Sequence, residues 1–235
     1  MKKCSRILIS QLLILGMFLL LTTSCKRSDG NLGSSLEGTM TDIDGNTYKT
    51  IQIGRQVWMA ENLKTTRYRN GDPIPNVTAD LQWTALSTGA YCWFNNDAAS
   101  NRAIHGAIYN WYTIADSRNI APTGWHVPTD DEWTVLIAFL GGESVAGGKM
   151  KVPGITYWNS PNTGANNSSG FTSLASGFRA RSGSFSYFGT HIYFWSTSEM
   201  TSDLAWTRDL GYNSADVIRY TYDKGDGFYV RCVKN

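Results

Sequence analysis

Residues 122–133 read PTGWHVPTDDEW and contain the clearest folding signal in the chain. Thr129, followed three residues later by Glu132, forms a capping box, in which each side chain accepts a hydrogen bond from the backbone N–H of the other residue. The acidic residues of this first turn also favour the helix dipole. Apolar residues then follow at helical spacing before Gly141, namely Trp133, Leu136, Ile137 and Leu140. The pattern predicts a helix that begins after Thr129 and ends at Gly141.

Outward from this helix, the sequence predicts short strands and one further helix. Upstream, residues 48–53 and 56–60 alternate around a Gly54-Arg55 turn, which is typical of a hairpin. Apolar residues between positions 103 and 115 predict the second helix. Residues 142–170 are rich in Gly, Asn and Ser and predict a long loop region. Six strand candidates follow, at 171–174, 177–180, 193–196, 205–210, 217–222 and 228–233. Strands at both ends, two helices and an irregular middle indicate an α+β domain.

The first 24 residues have the features of a bacterial lipoprotein signal. A positive start is followed by an apolar run over 7–21 and by the small residues Thr22, Thr23 and Ser24 directly before Cys25. We expect the Cys25 thiol to carry lipid, palmitate included; an ordinary cleaved signal with a chance cysteine is the alternative. Residues 25–38 predict a flexible tether and residues 39–235 one domain. The expected location is the bacterial outer membrane, at the cell surface, with the membrane as a partner through the N-terminal lipid.

The charge balance excludes a nucleic-acid partner. The 235 residues carry 21 basic and 19 acidic side chains, and only 17% of residues are charged. Three of the basic residues, Lys2, Lys3 and Arg6, belong to the signal segment, which leaves 18 basic against 19 acidic residues in the remainder. A nucleic-acid-binding domain needs a basic footprint that this composition lacks.

Two cysteines remain outside the signal and the lipid attachment site. Cys92 and Cys232 each lie in an apolar, strand-like run. Because an exported protein experiences an oxidising compartment, we expect a disulfide between them; two buried free thiols are the alternative. Neither has a C-x-x-C partner, which argues against redox and zinc-ribbon chemistry.

Two segments suggest ligand binding. Asp42, Asp44 and Asn46 present oxygens at alternate positions, as a calcium loop does, although an acidic β-turn explains the same residues and no other cofactor is expected. In the long loop region, Trp158 stands outside any strand or helix pattern, and Asn162, Asn166 and Asn167 follow it. An aromatic face with nearby amides suits a pyranose ring, so we expect these four residues to bind a ligand.

Seven segments together resemble one known family, the Fibrobacter succinogenes major paralogous domain. They are DIDGNTY (42–48), WMAENL (58–63), YCWFNND (91–97), YNWY (109–112), residues 122–133, FWSTSE (194–199) and VRCV (230–233). The resemblance runs from about Thr39 to the last residue. It implies an exported lipoprotein or surface protein of gut or rumen bacteria with no established catalytic activity.

Residues 124–133 are also similar to a motif of the formylglycine-generating, sulfatase-modifying fold, which is related to C-type lectins. That similarity implies a C-type-lectin-like domain with two helices, short antiparallel strands and long loops that carry the ligand site. We therefore expect a non-catalytic, lipid-anchored adhesion module for a glycan or a partner protein. The alternatives are an enzyme of the formylglycine-generating type and a structural subunit of a surface appendage. H-E-x-x-H and G-x-S-x-G motifs are absent from the sequence.

Overall fold

The computed structural model describes residues 35–235, so the predicted signal segment, Cys25 and most of the predicted tether lie outside the described residues. The strands are β1 (Ser35–Thr41), β2 (Thr47–Ile53), β3 (Gln56–Met59), β4 (Tyr91–Cys92), β5 (Ile108–Asn110), β6 (Trp125–His126), β7 (Ser176–Arg179), β8 (Phe185–Phe188), β9 (His191–Glu199), β10 (Leu204–Gly211), β11 (Ile218–Asp223), β12 (Gly227–Phe228) and β13 (Val233–Lys234). The helices are α1 (Asp80–Thr84), α2 (Ala98–His105), α3 (Trp111–Ala115), α4 (Asp130–Phe139) and α5 (Glu143–Met150). None of the helices within this range is long and apolar enough to cross a membrane.

The strands form two sheets. The first has the order β1-β2-β3-β13-β6, so the last strand of the chain lies beside the early hairpin. The second has the order β11-β10-β9-β7-β12-β5-β4, and β8 pairs with β7. Almost all pairings are antiparallel; β7 and β9 are parallel. The architecture is mixed and mostly β, as an α+β domain allows, but five helices stand where the sequence predicted two.

The two strongest local predictions are confirmed. The hairpin forms between β2 and β3, with Ile53 opposite Gln56 across the predicted turn. Thr129 caps α4: its side chain accepts from the Glu132 N–H, and Glu132 Oε2 accepts from the Thr129 N–H at 2.8 Å. The other Glu132 oxygen lies 2.7 Å from Nε2 of His126, which gives this histidine a structural role at the start of the helix.

The predicted helix over 103–115 is wrong. The chain forms α2, turns at Gly106, forms β5 and only then enters α3. Gly106 has φ +80°, and a Cβ there would lie 2.7 Å from Cβ of Asn62, so a regular helix cannot pass through this point. Asn110 ends β5 and caps α3 by accepting from the Thr113 N–H. Pairing of β5 with β4 and β12 outweighs the local helical pattern.

Candidate functional site

The two cysteines do not form the predicted disulfide, and this prediction is corrected. Cys92 in β4 and Cys232 just before β13 are both free, buried thiols. They belong to different hydrophobic clusters: Cys92 packs with Phe94 and Ile108, and Cys232 packs with Met59 and others. Burial raises the pKa of Cys92 to about 12 and also raises that of Cys232. Both thiols therefore stay protonated and unreactive at neutral pH.

The prediction that Trp158 contacts a ligand is also wrong. Its side chain is only 1% exposed and belongs to the main core cluster. The indole N–H donates to the Ser173 carbonyl at 3.0 Å, and the Lys151 ammonium lies 5.1 Å from the ring centre. The loop thus uses this tryptophan to attach itself to the core. Its neighbours Tyr157 and Asn159 point the other way and are exposed.

The three asparagines predicted to bind ligand all make hydrogen bonds within the loop region. Asn162 is buried and donates to the carbonyls of Val152 and Gly154 at 2.9 and 2.8 Å. Asn167 accepts from the Thr172 N–H at 2.9 Å. Asn166 is exposed, and its side-chain oxygen accepts from the Ser168 N–H. Asn162 and Asn167 also have φ of 46° and 50°, a backbone conformation that asparagine tolerates better than most residues.

Lys151 is a buried charge that the sequence analysis missed. Its ammonium donates to three backbone carbonyls, those of Thr163, Gly211 and Ser214, at 3.1, 2.8 and 2.6 Å. Burial lowers the pKa of Lys151 to about 8, which leaves the group charged at neutral pH. One lysine thereby joins the long loop to the end of β10. No sequence spacing pointed to it, because its three partners are carbonyls from distant segments.

Arg231 is the second missed charge and explains two of the family segments. It is fully buried and donates to Asn62 Oδ1 at 2.6 Å and to the Met59 and Phe171 carbonyls at 3.0 and 2.8 Å. Asn62 in turn donates to the His105 carbonyl at 2.7 Å. The segments WMAENL and VRCV therefore meet in space. Their polar residues form an internal hydrogen-bonded link between the ends of the domain.

The acidic loop before β2 already uses its oxygens. Asp42 accepts from the N–H groups of Asp44 and Asn46, both at 2.9 Å, and from the side chains of Asn46 and Tyr48. Asp44 accepts from the backbone and the hydroxyl of Thr66. Within residues 35–235, no group of three or more His, Cys, Asp or Glu side chains is placed to hold a metal ion. The hydrogen bonds of Asp42 are those of an acidic turn, which is the alternative that the sequence left open.

An open cleft lies where the long loop meets β8, and we call it the loop cleft. It has a volume of about 290 Å³, and its lining consists of His105, Ile155, Thr156, Tyr157, Asn159, Phe188 and Gly189. Tyr157 is 38% exposed, and Phe188 packs edge-on against the His105 ring at 4.9 Å between centroids. The Asn159 side chain makes no hydrogen bond to any described residue, whereas the backbone N–H of Asn159 donates to the Gly189 carbonyl at 2.6 Å.

His105 makes the floor of the loop cleft neutral. Its Nδ1 lies 2.8 Å from the Ser176 hydroxyl, and burial lowers the pKa of the imidazole to about 4. The cleft therefore combines two exposed aromatic rings, an amide with spare hydrogen-bonding capacity and an uncharged imidazole. Such a surface can pack against an apolar face and bond a hydroxyl or an amide. The sequence analysis placed the candidate ligand site in this loop on Trp158, whose side chain packs in the core and does not line the cleft.

The sheets and the capped α4 helix define a mixed, mostly β domain whose loops form the candidate site. The family model of the Fibrobacter succinogenes major domain matches residues 51–234. The chain belongs to that family. Neither a curated protein nor a solved structure matches it.

Proposed function

We propose that this chain is a non-catalytic binding module, anchored by lipid at Cys25 to the bacterial surface, with a C-type-lectin-like arrangement in which long loops hold the ligand. The ligand is a glycan or a partner protein, and the loop cleft is the binding site. The observation that carries the proposal is the pairing of exposed Tyr157 and Phe188 with the Asn159 amide at one open cleft.

The chemistry of the loop cleft favours a glycan as the first ligand to test. An aromatic face packs on the apolar face of a pyranose, and an amide can both donate to and accept from its hydroxyls. Because the histidine at the cleft is neutral at physiological pH, the site offers no charge to attract an ion. Hydrogen bonds from Trp158 and Lys151 to backbone carbonyls attach the loop to the core, and this attachment fixes the position of the exposed residues of the loop.

Burial of both thiols argues against the alternative of a formylglycine-generating enzyme. That chemistry needs reactive cysteines, whereas burial raises the pKa of Cys92 and Cys232 well above the usual range of a thiol. A thiolate is the nucleophilic form, so a thiol that stays protonated cannot serve. No feature of the described residues favours the appendage-subunit alternative.

A glycan array probed with the full-length chain tests the ligand. We expect binding to at least one plant or host glycan, which Tyr157→Ala reduces about tenfold through lost aromatic packing. The matched control is Leu81→Ala, since Leu81 is 87% exposed and does not line the cleft. An array without any signal that depends on Tyr157 would refute the glycan form. A protein ligand instead predicts a cross-linked complex through a photoreactive group at position 157.

The anchor is tested separately. Cells expressing the full-length chain should incorporate labelled palmitate into it, and Cys25→Ser should abolish the label and release the protein from the membrane fraction. Cys4→Ser is the matched control, because Cys4 lies inside the predicted signal. Equal labelling of the wild type and of Cys25→Ser would contradict lipidation at this residue.

A further inference from the structure

One face of the larger sheet carries a continuous set of aromatic rings, which we call the sheet face. Its members are Phe178, Tyr187, His191, Tyr193, Tyr220, Tyr222 and Phe228, from β7 to β12. Neighbouring ring centroids are 5.0–6.0 Å apart, as in the pairs of His191 with Tyr187 and Tyr193. The rings grade from buried Phe228 to Tyr187 and Tyr220, which are 53% and 58% exposed. The rings therefore form an aromatic platform that is buried at Phe228 and open to solvent at Tyr187 and Tyr220.

Asp209 lies in the middle of the sheet face. On β10 it stands directly opposite Tyr193 of β9 and Ile218 of β11, and residues in such cross-strand pairs share one side of a sheet. The side chain is only 7% exposed, and its Oδ1 has no hydrogen-bond partner among the described residues. A buried polar atom without a partner is rare and destabilising, so it calls for a specific explanation.

No cation among the described residues of this face offsets the charge of Asp209. The titratable groups packed on the same face are His191 and Tyr193 of β9, Tyr187 of β8, and Tyr220 and Tyr222 of β11. Burial lowers the pKa of His191, so this ring is neutral at physiological pH. Burial also raises the pKa of Tyr193 and Tyr222, and the Asp209 charge adds to both shifts. The cross-strand neighbours of Asp209 on this face are therefore an aromatic residue, Tyr193, and an apolar residue, Ile218.

We propose that the sheet face around Asp209 is a saccharide-binding site, in which a pyranose ring stacks on Tyr220 or Tyr187 and one of its hydroxyls donates to Asp209. The observations are an exposed aromatic platform and a carboxyl group that accepts no hydrogen bond from any described residue. The site is separate from the loop cleft, because none of the cleft-lining residues belongs to the sheet face.

The exposed rings of Tyr187 and Tyr220 lie on an open sheet face, which suits the flat apolar face of a pyranose better than it suits an organic cation. Burial raises the pKa of Asp209 to about 7, so the carboxyl group is largely neutral in mildly acidic solution and then offers little to a permanent charge. A hydroxyl can bond the carboxyl group in both protonation states, and more strongly when the group is ionised. Saccharide affinity is therefore expected to rise with pH through about 7, whereas binding of a cation would disappear in acid.

Calorimetric titration of the full-length protein tests the proposal. The probes are soluble hexasaccharides of glucose, xylose, mannose and galactose, with tetramethylammonium as the cationic probe, each at acidic and at mildly alkaline pH. We expect at least one hexasaccharide to bind and Tyr220→Ala to weaken it about tenfold. Asp209→Asn, which keeps the shape of the side chain, should remove the pH dependence. Leu81→Ala, which removes an exposed side chain outside both sites, is the matched control and should bind as the wild type does, whereas Tyr157→Ala reports separately on the loop cleft.

Three results would overturn the proposal. The first is the absence of heat with every hexasaccharide, and the second is unchanged affinity in both Tyr220→Ala and Tyr187→Ala. The third is binding of tetramethylammonium that Tyr220→Ala abolishes, which would assign the face to a cation. Saccharide binding that only Tyr157→Ala weakens would reject the sheet face and support the loop cleft, so the two sites can be judged independently.

Discussion

Replacing Asp209 with asparagine should stabilise the protein more as the pH rises. Burial raises the pKa of the carboxyl group from 3.8 to about 7, a shift worth on the order of 4 kcal/mol. The folded state therefore holds the proton more tightly than the unfolded state. The contribution of protonated Asp209 to folding is complete below about pH 4 and is lost as pH rises to about 7. The amide introduced by Asp209→Asn cannot ionise, so the variant avoids this loss.

The measurement is urea unfolding of wild type and Asp209→Asn at pH 4 and pH 8. The free energy of unfolding of the variant minus that of the wild type should increase by about 3 to 4 kcal/mol between the two pH values. The constant cost of burying an amide without partners cancels in this comparison, because it is the same at both pH values. Other ionisable groups cancel as well, since both proteins contain them.

Asp203→Asn is the matched control. Asp203 directly precedes β10 and is exposed, so its replacement should leave the difference near zero at both pH values. If Asp209→Asn shows the same difference from wild type at pH 4 and pH 8, the carboxyl group is not held in a desolvated setting. The placement of Asp209 beneath the aromatic rings would then be refuted.

Three further experiments test the interior. Arg231→Lys removes a buried guanidinium with four hydrogen bonds and should lower the free energy of unfolding in urea by about 3–5 kcal/mol. A loss below about 1 kcal/mol would show that these hydrogen bonds do not stabilise the fold. Trp158→Ala should lower the free energy of unfolding by about 3–5 kcal/mol, because Trp158 is buried, whereas Tyr157→Ala at the exposed neighbouring residue should change it by under about 0.5 kcal/mol. Thermal melting measures both effects. Equal effects would show that Trp158 does not point inward and Tyr157 outward. Cys92 and Cys232 should resist thiol labelling in the folded protein and react fully once the protein is unfolded without reductant. Mass spectrometry of peptides measures the labelling. A pair of peptides joined by a disulfide would contradict the assignment of two free thiols.

The loop around Trp158 shows how far sequence patterns reach. The richness of residues 142–170 in Gly, Asn and Ser correctly marked an irregular segment that lies beside a cleft, although its first residues form α5. The pattern could not tell which side chains point outward. Trp158 turns inward because the Ser173 carbonyl and the core receive its indole, and both lie outside the local segment.

Asp209 is a buried residue that no sequence pattern indicated. In the sequence it is one acidic residue within a strand candidate, with no motif around it. Its burial arises because β9 and β11 bring aromatic side chains to both sides of it, from positions that the chain reaches only by turning back on itself twice. The buried positions of Lys151 and Arg231 depend in the same way on distant carbonyls.

The sequence by itself determined the family, the capped α4 helix, the first hairpin and most later strands, because capping boxes, tight turns and alternation depend on residues a few positions apart. Only the tertiary structure decided that residues 103–115 divide into a helix, a strand and a second helix, and that Cys92 and Cys232 remain separate thiols. It also decided which aromatic rings face solvent. Burial and partners depend on contacts between segments far apart in the chain, and no local pattern records them.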